Sequence, residues 1–194
     1  MESLVKKYQQ RFRKVREEMD RWEQLQSRLI SLFQNASSII ERLQVVQNPK
    51  NYDSCDIRDA VLRKQLDSLQ AILVSISRTL EGLHGVVLFL EKMYNDGSQF
   101  ARGGSDQLTT KQLQQRVGIK PCLQDCLNGL MLLYEMHRSE YLLKLSLSSA
   151  LSTLALRPTS SDLSALHQLL VDQPNIPKEE VQSIFDTIFA EEIC

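Results

Sequence analysis

Residues 2–47 read ESLVKKYQQRFRKVREEMDRWEQLQSRLISLFQNASSIIERLQVVQ, and their apolar spacing decides the fold. Val5, Tyr8, Phe12, Val15, Met19, Trp22, Leu29, Phe33, Ala36, Ile40 and Leu43 recur at steps of three and four, with Gln26 as the polar interruption. A repeat of about 3.5 residues lays one stripe along a left-handed supercoil, so such a helix packs lengthwise on other helices. The stretch predicts one helix over 2–47, a rod of roughly 65 Å. Pro49 ends it, because proline disfavours a helical residue before it. With Val5 at position a, a second column falls on g: Leu4, Leu25, Leu32, Ile39 and Val46. A two-stranded coiled coil needs only a and d; the added column implies two neighbours and hence a bundle.

A second ladder runs Leu62, Leu66, Leu69, Leu73, Ile76, Leu80, Leu83, Val87, Leu90 and Tyr94, with Ile72 and Val86 widening it. It predicts a helix from an Asp56 N-cap to about Asn95, closed by Asp96-Gly97. The short loop before it makes the two rods antiparallel neighbours. Val74, Leu88 and Phe89 lie off this seam and require cover from elsewhere in the chain or from a partner. Residues 96–107 hold three of the seven glycines and read as a flexible linker. Thr109 and Gln112 then have the spacing of a capping box, opening a short helix that stops at Gly118. Pro121 suits the first position of a third long helix, which ends at Arg157-Pro158. Its register includes His137 and Lys144, with Glu140 one turn from each, while Leu143, Leu147, Ala150 and Leu154 form a column on another face. Either Glu140 partners these two groups in the interior, or the seam rolls away from them. Short helices over Ser161–Asp172 and Pro177–Ala190 complete a terminal cap.

The expected organisation is all-α: an antiparallel bundle of three long helices with a short-helix C-terminal cap. Along the chain this gives a long helical hairpin over 1–95, the linker 96–107, a short helix and the third long helix over 108–157, and the cap over 158–194. Hydrophobic content of 42% suffices for a core, and 6% aromatics with few glycines fit a helical protein. Net charge near −1 disfavours a dedicated nucleic-acid binder. The charge is uneven, since residues 6–16 carry Lys6, Lys7, Arg11, Arg13, Lys14 and Arg16 without an acid, whereas residues 162–194 carry seven acids against Lys178. Met1 leads directly into a charged amphipathic helix, so no signal peptide is expected. The longest uninterrupted apolar run, Val86–Leu90, is too short to span a bilayer, so no membrane partner is expected. Four cysteines in a chain of this size do not make a disulfide framework, which fits a reducing compartment.

No residue pattern supports catalysis. Cys122 and Cys126 share a helical face, but no second Cys or His pair completes a zinc site, so both read as small core residues and neither metal nor cofactor is expected. His84, His137 and His167 are dispersed, with no metalloprotease or nucleophile motif around them. Residues 108–127 scan as a helix-turn-helix, yet the second helix would offer Cys122, Gln124 and Asp125 to a groove with Lys120 as its cation, a poor recognition surface. The basic stretch at 6–16 reads either as a solvated bundle face or as a grip on RNA or an acidic protein.

Trp22 and the stretch from Leu29 to Asn48 resemble the first helix of the AIRIM family of ribosome maturation factors, and Arg21-Trp22-Glu23-Gln24-Leu25 is similar to its relative CINP, a cyclin-dependent-kinase-interacting protein. Pro121, Asp125, Leu127, Leu130 and the segment Tyr134–Ser149, with its Arg138-x-x-Tyr141-Leu-Leu-Lys144 core, carry the stronger resemblance. The chain lacks the long polar N-terminal extension of CINP, which favours the AIRIM branch. The resemblance implies a non-catalytic adaptor of an AAA ATPase acting in large-ribosomal-subunit maturation and related protein remodelling, in nucleus and cytoplasm, with a CINP-like sister adaptor as a further partner. Candidate protein-binding residues are Val74, Leu88 and Phe89 from the exposed face, and Tyr134, Arg138, Tyr141 and Lys144 from the shared motif. A self-associating coiled-coil scaffold and a nucleic-acid-binding module stand as alternatives.

Overall fold

A computed structural model describes residues 2–47, 55–102, 109–116, 118, 120–154 and 160–190. The elements are α1 (Glu2–Gln47), α2 (Cys55–Arg102), α3 (Thr110–Leu113), α4 (Leu123–Leu154), α5 (Ser160–Asp172) and α6 (Lys178–Ile188). The fold is all-α, and no strand occurs among the described residues. Contacts divide the chain into two compact units, one of Met1–Glu23, His84–Glu140 and Pro174–Cys194, the other of Gln24–Leu83 and Tyr141–Gln173. α1, α2 and α4 each supply residues to both units. Physically, a lengthwise-packed rod meets different neighbours along its course.

In the first unit, α1 buries Val5, Tyr8, Phe12, Val15 and Trp22. The Tyr8 hydroxyl donates to the Gly97 carbonyl at 2.8 Å, and burial pushes the phenol up to about 12. Gly97 does not stop α2, contrary to the sequence expectation. A Cβ there would meet Leu130 and Tyr8 at 3.3 Å each, so the glycine permits close helix packing, and α2 continues to Arg102. The expected linker therefore loses its first part to helix; residues 103–108 lie outside the described residues. Tyr94 stacks on Tyr134 with centroids 6.5 Å apart, and Gly97 faces Leu130, so α2 and α4 run antiparallel. Phe12 faces Gly129 and Trp22 meets His137, so α4 runs parallel to α1.

The fourth helix of this unit is α6, antiparallel to α1. Phe12 and Phe185 meet edge to face at 6.0 Å, and a Cβ at Gly129 would lie 3.0 Å from Ile184 and 3.1 Å from Phe12. The Gln9 amide donates to the Ile188 carbonyl at 3.1 Å, satisfying an acceptor at the end of α6 that has no intrahelical partner. The uneven charge finds a structural use here. The Arg16 guanidinium lies 4.7 Å from the Phe185 ring and 5.0 Å from Phe189, and Arg13 lies 5.8 Å from Phe189. Two of the six basic residues thus cover the aromatic face of α6.

The second unit repeats the arrangement with α5 as its short helix. Leu29, Phe33, Ala36, Ile40, Leu43 and Val46 of α1 are buried, as are Leu69, Ile76, Leu80 and Leu83 of α2, Leu147 and Leu151 of α4, and Leu163 and Leu170 of α5. Gln26, the interruption in the α1 ladder, is buried and donates its amide to the Leu170 carbonyl at 2.6 Å, in the last turn of α5. Gln34 meets His167 at 3.0 Å, and Phe33 lies 6.3 Å from the same ring. These pairs make α5 antiparallel to α1. The C-terminal short helices are therefore shared out, one covering α1 in each unit.

The α1 ladder is buried throughout except for half-buried Met19. The α2 ladder departs at Leu66, which is 48% exposed, and Leu62 and Leu73 are half-buried. On α4 the interior stripe runs Leu123, Cys126, Leu130, Leu133, His137, Glu140, Lys144, Leu147 and Leu151, so the seam does not roll away from its polar members. The Glu140 carboxylate accepts from the Asn175 backbone and side-chain amides at 3.2 and 3.1 Å, holding the turn into α6. His137 Nδ1 lies 2.7 Å from the Leu133 carbonyl.

Helix starts also differ in detail. α2 begins at Cys55, which places Asp56 in its first turn. α4 begins at Leu123, two residues beyond Pro121, with a reciprocal capping box built on a cysteine. The Cys122 N–H donates to Asp125 Oδ2 at 3.0 Å, and the Asp125 N–H donates to Cys122 Sγ at 3.4 Å. Partial burial disfavours the Asp125 carboxylate, but these bonds and the Arg116 guanidinium outweigh it and hold its pKa below the usual value. At α3, Thr109 and Gln112 form the expected capping box, with the Thr109 N–H 2.8 Å from Gln112 Oε1.

Replacing buried Leu80 with Ala should cost about 2 to 5 kcal/mol, while the same change at exposed Leu66 should cost under about 1 kcal/mol; urea titration of both variants checks the burial contrast. Arg16→Ala should lower stability by about 1 kcal/mol through its loss from the α6 aromatics, and Lys14→Ala, at an exposed neighbour, should leave the midpoint unchanged.

Candidate protein-binding surfaces

Among the described residues, Ile57 and Val45 are the most exposed large apolar side chains, and the candidate binding residues lie on helical faces of both units. In the first unit, Leu88 of α2 is 50% exposed and Phe89 is half-buried. Glu91, one turn beyond Leu88 on the same side of α2, accepts the Tyr134 hydroxyl at 3.4 Å. Burial first, then the neighbouring Glu91 carboxylate, raises the Tyr134 phenol above its usual pKa. Arg138 stands exposed one turn further along α4. Leu88, Tyr134 and Arg138 are thereby gathered along the α2–α4 side, joined through Glu91 and Tyr94.

In the second unit, Val74 is 41% exposed, Tyr141 is half-buried, and Lys144 is buried with 1% of its surface accessible. Lys144 is an interior residue, so it does not present itself to a partner. The sequence reading missed Leu142 and Leu145, which are 50% and 38% exposed. With Ser146, Ser149, Ser152 and Thr153 they form the outer face of α4 over three turns, and that face carries no charge. A second uncharged exposed face lies on α2, between Asp67 and Arg78, formed by Ser68, Gln70, Ala71, Val74 and Ser77. Solvated helix faces ordinarily carry charges, so a charge-free strip with half-exposed leucines has the composition of an interface core. The signal was present in the sequence: from Tyr141 to Leu154 the one charge is Lys144, and a seam through Lys144, Leu147 and Leu151 turns Leu142 and Leu145 outward.

Other candidates resolve differently. Cys126 is fully buried, and that burial, with Asp125 adding to it, pushes its thiol up to about 12, so it stays protonated and acts as core. α3 is a single turn, too short for the first helix of a helix-turn-helix. By length and composition α2 could cross a membrane, and one-third of its most apolar window is buried. Its ladder residues Leu69, Ile76, Leu80, Leu83, Val87 and Leu90 are buried across both units.

No curated protein matches the chain. The family described as ribosome biogenesis protein C1orf109-like matches residues 2–193, almost the whole chain, and its identity agrees with the AIRIM resemblance; the protein belongs to this ribosome biogenesis family.

Proposed function

We propose that the protein is a non-catalytic adaptor subunit of an AAA ATPase assembly that matures the large ribosomal subunit and remodels related protein complexes, in nucleus and cytoplasm. A CINP-like sister adaptor is the second partner in this reading. The observation that carries it is the uncharged outer face of α4 with Leu142 and Leu145 half-exposed, in a chain whose family works in ribosome biogenesis. Burial of apolar surface supplies non-directional association energy, and an uncharged face adds no desolvation penalty for charged groups. The α2–α4 side of the first unit, with Leu88, Tyr134 and Arg138, offers a second contact of mixed character. The basic stretch has a lesser part in this scheme, since Arg13 and Arg16 lie over Phe185 and Phe189.

The test is co-purification from native extract, read by mass spectrometry. Wild type should retain an AAA ATPase. A Leu142→Asp/Leu145→Asp variant should keep its helical circular dichroism and melting behaviour yet lose at least about tenfold of the bound ATPase, the loss expected when two half-exposed leucines no longer bury. Neutralising Lys6, Lys7 and Lys14 should leave the yield intact. A wild-type chain that brings down no ATPase and sediments alone as a discrete homo-oligomer would overturn this reading in favour of the scaffold.

A further inference from the structure

The first unit holds a groove of about 260 Å³ between α1 and the start of α6, which the adaptor reading does not use. Its floor is the buried pair Trp22 and His137, edge to face with centroids 4.8 Å apart. Half-buried Met19, Ile176 and Val181 stand around this floor as apolar walls. Met19 is the one α1 ladder residue that its neighbours leave half-covered. On the α1 rim stand exposed Asp20 and Glu23; on the α6 rim stand Lys178 and Gln182. The volume lies below the range of roughly 300 to 1,000 Å³ typical of small-molecule sites, and suits one large side chain of a peptide better than a cofactor.

The charged residues lining the groove are Asp20 and Glu23 on α1 and Lys178 on α6. The flanking turns, residues 17–23 and 178–182, add Glu17, Glu18, Glu179 and Glu180 outside the lining, so these two segments together carry six carboxylates against Arg21 and Lys178. Arg21 is itself paired with Glu18 at 3.3 Å. The preceding stretch of α1, residues 6–16, carries six cations and no acid, so the acidic segment begins only after Arg16, one turn before Asp20. An apolar slot with an acidic rim is complementary to an apolar anchor residue flanked by cations.

We propose that this groove binds a basic peptide segment of a partner protein, with one aliphatic side chain seated over Trp22 and His137 and flanking Lys or Arg residues facing the acidic rim at Asp20 and Glu23. Substrate-like segments of this composition would be captured by the first unit whatever the second unit docks on. The inference does not depend on an ATPase being the partner.

Trp22 is the sole tryptophan, so its emission reports on the groove floor. The probe is the synthetic heptapeptide Lys-Arg-Lys-Leu-Lys-Arg-Lys, titrated into the full chain at low salt, with calorimetry in parallel. Saturable binding with a shift in Trp22 emission is expected. Affinity should fall about tenfold when the peptide leucine becomes glycine, because the anchor no longer buries. It should fall about tenfold again in the Asp20→Lys/Glu23→Lys variant, whose changes lie at exposed positions and whose fold is checked by circular dichroism. The all-glutamate counterpart of the peptide should not bind. Absence of saturable binding by both methods overturns the proposal, as does equal binding of the glycine peptide, unchanged affinity in the double variant, or a preference for the acidic peptide.

Discussion

A 46-residue helix with apolar side chains on a, d and g must be covered along its whole length, and the rest of this structure follows from that constraint. The exposed remainder of α1 needs a fourth wall. α6 supplies it in one unit through Phe185 and Ile188, and α5 supplies it in the other through Leu163 and Leu170. Each short helix ends against α1, which raises a second difficulty, because terminal carbonyls have no partner within their own helix. Gln9 and Gln26 donate to Ile188 and Leu170, one at each end. A glutamine in an otherwise apolar ladder therefore marks where a second helix stops.

The interior stripe of α4 uses polar groups in a related way. His137, Glu140 and Lys144 are buried in succession between leucines. Leaving such groups unbonded would cost a few kcal/mol each, so they fix the arrangement of what packs against them. Glu140 does this visibly by gripping both amides of Asn175. The shared motif around Tyr134 to Lys144 thus divides by role: Lys144 belongs to the interior, while Tyr134 and Arg138 reach the surface. A nearly uncharged outer face on a helix with a polar interior stripe reverses the usual order of a solvated helix.

Much of this was legible in the chain because periodicity survives any detail of packing. The α1 ladder, the short C-terminal helices and the Thr109–Gln112 capping box all follow from spacing alone. Four features were not legible. Gly97 reads as a helix stop unless Tyr8 and Leu130 are known to press on it. Cys122 is buried as read, but its second part as acceptor of the Asp125 N–H shows only in the structure. Leu66 satisfies the α2 ladder yet faces solvent, since a seam pattern does not reveal where neighbours run out. Arg13 and Arg16 read either as a solvated face or as a grip on RNA or an acidic protein until the α6 aromatics lie beneath them. For Gly97 and the two arginines the deciding partner is distant in sequence.

The central claim is that the uncharged outer face of α4 is an interface core. Hydrogen–deuterium exchange of the chain alone and within its native assembly, read peptide by peptide, tests it most directly. The account predicts that assembly slows exchange in the peptides covering residues 141–154, with a smaller effect around Leu88. Slowing confined to residues 6–16, with 141–154 unchanged, would contradict it.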